Sequence, residues 1–176
     1  MNQVHPTALA DKGKKEYEKG NYLAAADLFL QAAQAYETAQ DDLNAAEMKN
    51  NQSVALLQAG KTREALQATE GTEDVFQKAG DIKRQGIAVS NHAAALEGLK
   101  KWKEALTEYD RAASLFEQTG EGDMHSIVRK AAADINLKHG RIIASQMDVY
   151  DSLRLVKKPT LTQRIVKFLM RIGLVR

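Results

Sequence analysis

The segment Gly20-Asn21-Tyr22-Leu23-Ala24-Ala25 returns with substitutions every forty residues, as Gly60-Lys61-Thr62-Arg63-Glu64-Ala65 and as Lys100-Lys101-Trp102-Lys103-Glu104-Ala105. Other columns keep the same step: Tyr36 with Phe76 and Phe116, and Gln40-Asp41 with Gly80-Asp81 and Gly120-Glu121. Seven of the ten aromatic residues fall in three such columns, so large side chains are placed by the repeat and not by one central core. A period of this length marks an array of supersecondary units, each packed on its neighbours. Ala, Leu, Gln, Glu and Lys dominate, proline stands only at Pro6 and Pro159, and strand-forming runs are missing, so the units are helical.

Four hairpins follow, over about 7–40, 41–80, 81–120 and 121–155, between an N-terminal tail at 1–6 and a C-terminal helix at 156–176. In the first, Leu9, Gly13 and Tyr17 stack on one helix face, Gly20 turns the chain, and Tyr22, Ala25, Ala26, Phe29, Ala32, Ala33 and Tyr36 line the second helix. Small residues at 25 and 32 let the helices approach while Phe29 and Tyr36 fill the flanks. In the second unit Thr69 and Thr72 replace the Phe29 and Ala32 columns, and Gly71 predicts a helix that continues but is weaker by about 1 kcal/mol. The third unit restores Trp102, Ala105, Tyr109, Ala112 and Phe116. Lys100 there takes the glycine column, so that turn must accept a side chain. Asp123 is the expected N-cap of the next helix. The fourth unit keeps Ala132, Gly140, Ile142, Ser145 and Val149 in frame but loses its aromatics, as a terminal repeat does.

Beyond Lys157-Lys158-Pro159, Thr160 or Thr162 can cap a last helix ending near Gly173. Leu161, Ile165, Phe168, Leu169 and Ile172 form its apolar arc, with Arg164, Lys167 and Arg171 on the other side. The formal charge of +2 hides this asymmetry: seven basic and no acidic residues follow Asp151, which leaves −5 for everything before. An acidic body excludes a general nucleic-acid footprint. Three readings of the helix stand side by side: a cap on the open end of the array, a peripheral attachment to an anionic membrane, or a surface for self-association or another chain.

Together these residues resemble the tetratricopeptide repeat family. Gly13, Gly20, Tyr22, Ala25, Phe29 and Ala32 of the first unit, and Ala93, Trp102, Ala105, Tyr109 and Ala112 of the third, match its pattern over roughly residues 7–150. The usual repeat is 34 residues, and the forty-residue step is more similar to the long repeats of kinesin light chain, of spindle-orientation adaptors and of soluble NSF attachment proteins. The resemblance implies an all-α, right-handed α-solenoid with a concave groove that holds a peptide or helix of another protein. Carried over residue by residue, the groove positions are Lys14, Tyr17, Asn50, Asn51, Val54, Leu57, Ser90, Asn91, Lys130 and Asp134. Asn51 and Asn91 match asparagines expected to hold a peptide backbone, since an amide both donates and accepts. A clamp for acidic chaperone tails is not implied: Ala10, Lys14, Ile87 and Asn91 all depart from its pattern, and only Asn51 fits.

Chemistry is absent from the spacing. His5, His92, His125 and His139 are scattered with no metal-site arrangement, there is no cysteine, and no nucleophile elbow, phosphate loop or dinucleotide fingerprint occurs. His92 reads as a packed histidine and His139 as a cation at a helix end. The expectation is a protein-binding adaptor, without enzymatic activity, cofactor or metal, in the cytoplasm or at the periphery of a membrane. Self-association is compatible with it. The N-terminal residues lack the pattern of a signal peptide, and no apolar run approaches the roughly 20 residues of a membrane span.

Overall fold

The computed structural model describes residues 5–171, and these form helices joined by tight turns: α1 (Pro6–Glu18), α2 (Tyr22–Thr38), α3 (Asp42–Gln58), α4 (Thr62–Thr69), α5 (Thr72–Lys78), α6 (Ile82–Gly98), α7 (Trp102–Thr119), α8 (Gly122–Lys138), α9 (Ile142–Arg154) and α10 (Leu161–Arg171). No strand occurs among the described residues. Their spacing is set by a left-handed residue every twenty positions: Gly20, Gln40, Gly60, Gly80, Lys100, Gly120 and Gly140, with φ between 58° and 81°. Each ends a helix in the same way. At the first, the Gly20 N–H donates to the Tyr17 carbonyl at 3.0 Å and the Asn21 N–H to the Glu16 carbonyl at 2.9 Å, the Schellman arrangement that satisfies the last carbonyls. Gln40 and Lys100 adopt the conformation without being glycine, so the Lys100 turn does accept a side chain.

Asp41 and Asp81 cap the helices that follow, accepting from the Asn44 N–H at 3.2 Å and the Arg84 N–H at 2.9 Å. Glu121, in the same column, makes no such bond, and Asp123 lies inside the first turn of α8 instead of capping it. The cap position is fixed by Gly120, which ends α7 and leaves Glu121 as the only residue before α8.

An eighth left-handed residue, Gly71, falls outside the twenty-residue series with φ 72° and divides the second helix of the second unit into α4 and α5. The expected weakened but continuous helix is therefore broken. Two threonines explain it: the Thr69 hydroxyl turns back to the Leu66 carbonyl at 2.7 Å and the Thr72 hydroxyl to the Thr69 carbonyl at 2.8 Å. Side chains that bond their own backbone compete with the helix ladder, and glycine between them takes the turn without strain.

The hairpins are α1 with α2, α3 with α4 and α5, α6 with α7, and α8 with α9; α3 also packs on α6 of the next unit. The result is an α-solenoid. Its core runs along the array in groups, one around Phe29, Ala32, Met48 and Ala65, another around Tyr109, Ala112, Phe116 and Ile135, with Ala46, Phe76 and Ala88 between. Gly13 and Gly86 let Phe29 and Phe116 lie on the helix backbone; a Cβ would stand 2.9 Å and 2.8 Å from those rings. Ion pairs about one repeat apart tie neighbours together at the surface, among them Arg84–Glu47 at 3.4 Å, Lys83–Glu121 at 3.0 Å and Arg154–Glu117 at 2.8 Å.

Thr160 and Gln163 start α10 as a reciprocal capping box, the Thr160 N–H donating to Gln163 Oε1 at 2.8 Å and the Gln163 N–H to Thr160 Oγ1 at 3.3 Å. Thr160, and not Thr162, is therefore the cap. The half-buried side chains of α10 include Gln163, Val166 and Lys167, and Lys167 Nζ lies 3.4 Å from the Leu153 carbonyl at the end of α9. Leu161, Ile165 and Phe168 are 72%, 49% and 59% exposed, so these three face mainly away from the array, whereas Leu169 of the same arc is half-buried. Ile172 and the Arg171 side chain lie outside the described residues.

Candidate functional site

Four of the residues read as groove-lining converge on one pocket of about 210 Å³, where Lys14, Tyr17, Asn51 and Val54 meet Glu18 and Phe29. Its walls come from the first helices of two successive hairpins, α1 and α3, and its floor from α2. Tyr17 is held by its neighbour Tyr22, whose ring meets it edge-on at 5.2 Å between centroids. Phe29 reaches the pocket because Gly13 has no side chain to block it. An aromatic floor with an amide, a cation and a carboxylate around it suits a side chain of mixed character from another chain.

The asparagines separate by role. Asn50 is buried and its side-chain oxygen accepts from the Thr72 hydroxyl at 3.1 Å, so it belongs to the core between units and lines no open surface. Asn44 bonds the Asp41 carboxylate. The amides of Asn51 and Asn91 are half-buried and take part in no hydrogen bond among the described residues. Both are left with their full donor and acceptor capacity.

The other expected positions are not gathered into this pocket. Leu57 packs half-buried against the first core group. The Ser90 hydroxyl donates to the Ile87 carbonyl on its own helix at 2.8 Å. Lys130 and Asp134 are exposed on α8. Glu97, on the same helix as Asn91, accepts from the buried Tyr109 hydroxyl at 2.8 Å; burial first, then the Glu97 charge, push that phenol far above its ordinary value. This bond ties α6 to α7.

Sequence pattern does not point to Glu18 and Phe29, because Phe29 belongs to the column that forms the scaffold; the glycine sixteen residues earlier on the facing helix, Gly13, is the available signal. A second pocket of about 290 Å³ opens where α4 breaks, between Thr69, Gly71, Glu73, His92, Glu108 and Arg111. His92 Nδ1 stands 2.9 Å from the Thr69 hydroxyl there, and Arg111 bridges Glu73 and Glu108 at 2.5 Å each. Its charges are paired with one another, which leaves less for a ligand than the free amide beside Tyr17 does. The His139 ring packs on Trp102 at 5.2 Å and its Nδ1 meets the Ile135 carbonyl at 2.8 Å, at the end of α8. No group of residues able to hold a metal ion occurs among the described residues.

The family model described as Soluble NSF attachment protein, SNAP, matches residues 15–171. The chain belongs to that family. No curated protein matches it. Membership fixes the class of function as that of a non-catalytic adaptor for other proteins, which the helical repeats also express.

Proposed function

From membership of the soluble NSF attachment protein family, we propose that this chain holds a segment of a partner protein along the face formed by the first helices of its hairpins. The pocket of Lys14, Tyr17, Asn51 and Val54 carries the reading, because it brings together side chains from two repeats and leaves the Asn51 amide unused. Tyr17, Phe29 and Val54 take an apolar side chain of the segment, Asn51 pairs with its backbone, and Lys14 donates to a carboxylate. Asn91, one repeat further, extends the same backbone contact over α6, and Lys130 and Asp134 set the charge preference at the far end. The family description names attachment to NSF, and a protein segment is the class of partner this face fits. An adaptor of this kind works in the cytoplasm.

Selecting binding segments from a displayed peptide library with the full chain tests this. Tyr17→Ala with Asn51→Ala is expected to weaken the selected segments by about tenfold or more, as truncation of a tyrosine anchor does. Unchanged affinity in that variant would place the segment elsewhere.

A further inference from the structure

We infer that α10 is an interfacial helix that attaches the chain to an anionic lipid surface. Its orientation is the first reason. The helix is held by the side that carries Gln163, Val166, Lys167 and Leu169, with the Lys167 ammonium against the carbonyls of Leu153 and Arg154 at 3.4 Å and 3.5 Å, the negative end of the α9 dipole. That contact turns Leu161, Ile165 and Phe168 outward, 72%, 49% and 59% exposed. The end helix α9 adds Ile143 and Met147, 76% and 68% exposed, at the same end of the array.

Charge selects the occupant. Seven cations and no anion follow Asp151. Arg164 and the pair Lys157 and Lys158 are exposed beside the arc. A second copy is disfavoured, because a two-fold contact puts the same patch against itself and sets cations against cations. The acidic side chains nearest this end are already engaged: Glu117 and Asp151 hold Arg154 at 2.8 Å and 2.9 Å, and Arg129 lies among Asp110, Asp148 and Asp151. They do not compete for the tail. An exposed apolar arc with the cations Arg164, Lys157 and Lys158 beside it and no acidic side chain on the helix is the physical form of a helix that lies in the headgroup region of a membrane with acidic lipid. No helix of the described residues is long and apolar enough to cross a membrane, so α10 lies along the surface, with a length of about 16 Å for its eleven residues.

Sedimentation of the full chain with vesicles tests the proposal. The chain is expected to sediment with vesicles of phosphatidylcholine containing phosphatidylserine, and to stay in solution with phosphatidylcholine alone or at raised salt. Ile165→Glu with Phe168→Glu, at exposed positions that leave the helices intact by circular dichroism, should abolish sedimentation. Lys157→Gln with Lys158→Gln should weaken it by about fivefold for each charge removed. Asn51→Ala should change nothing, which separates this surface from the groove. The proposal is overturned if the wild-type chain ignores acidic vesicles, if it binds neutral ones equally well, or if the Ile165 and Phe168 substitutions leave sedimentation unchanged. A dimer in the absence of lipid that those two substitutions dissolve would assign the arc to a second copy instead.

Discussion

The Thr72 hydroxyl at the start of α5 reaches the Asn50 side-chain oxygen on α3 at 3.1 Å, inside the core where both residues are buried. The contact fastens the broken helix of the second unit to the first helix of the same unit. Thr72→Val keeps the shape and removes the donor, leaving a buried oxygen without its partner. A loss of about 1–3 kcal/mol in urea unfolding is expected, with segment binding at Tyr17 and Asn51 unaffected. Adding Asn50→Leu should recover part of that loss, since removing both partners costs less than removing one. Strict additivity of the two substitutions would show that the contact carries no coupling.

Lys100 carries the turn conformation with φ 61° in a column where Gly20, Gly60 and Gly140 stand. A side chain in the left-handed region costs roughly 1–2 kcal/mol, and glycine gives back part of that gain through its freer unfolded state. Lys100→Gly is therefore expected to stabilise the chain by about 0.5–1 kcal/mol, and Gly60→Ala to destabilise it by a similar amount. A Lys100→Gly variant whose unfolding midpoint falls would show that the lysine side chain contributes something the backbone argument omits.

The joints and the hairpins were legible because both depend on local chemistry: a left-handed residue every twenty positions and alanine where helices touch. The convergence of Lys14, Tyr17, Asn51 and Val54 followed from the register of the first helices. Asn50 could not be separated from Asn51 by pattern, because one residue turns the side chain by about 100° and only the position of Thr72 decides which asparagine faces inward. The break at Gly71 needed two threonine hydroxyls that bond their own backbone, and a glycine inside a helical pattern does not reveal them. The tail showed which side of α10 is apolar. Which side docks depended on the Lys167 contact with the end of α9, which no periodicity contains.

Gly13 and Phe29 test the packing beneath the pocket. A Cβ at position 13 would stand 2.9 Å from the Phe29 ring, which is buried and has little room to move. Gly13→Ala should cost about 1–3 kcal/mol by overpacking and weaken segment binding as well, because the ring that shifts is the floor of the pocket. Phe29→Leu in the same chain should restore stability without restoring binding. A Gly13→Ala chain that unfolds and binds like the wild type would mean the ring is free to retreat.

His125 on α8 gives the fold a dependence on pH. It is fully buried, and its Nε2 lies 3.3 Å from an Asp151 carboxylate oxygen on α9. Burial is the strongest influence and pushes the imidazole below its ordinary 6.5; Asp151 opposes this, Arg129 and Arg154 reinforce it, and Glu117 on α7 opposes it weakly. The unfolded chain thus takes up a proton at about 6.5 that the folded chain refuses. Stability is level above that pH, declines as pH drops below it, and the decline ends at the lower folded-state value. Two neighbours act lower down. Burial works to raise the Asp151 carboxyl, but Arg154, Arg129 and His125 hold it below 3.8, so its contribution disappears as pH falls through that lower value. Asp148 is pushed above 3.8 by burial and acts in the opposite sense, losing stability as pH rises through its own window. His125→Gln is neutral at every pH and isolates the histidine. The difference in urea midpoint between wild type and His125→Gln should be constant above about pH 6.5 and shift against the wild type below it. A difference that stays flat across that window would mean that the imidazole takes its proton as readily in the fold as outside it.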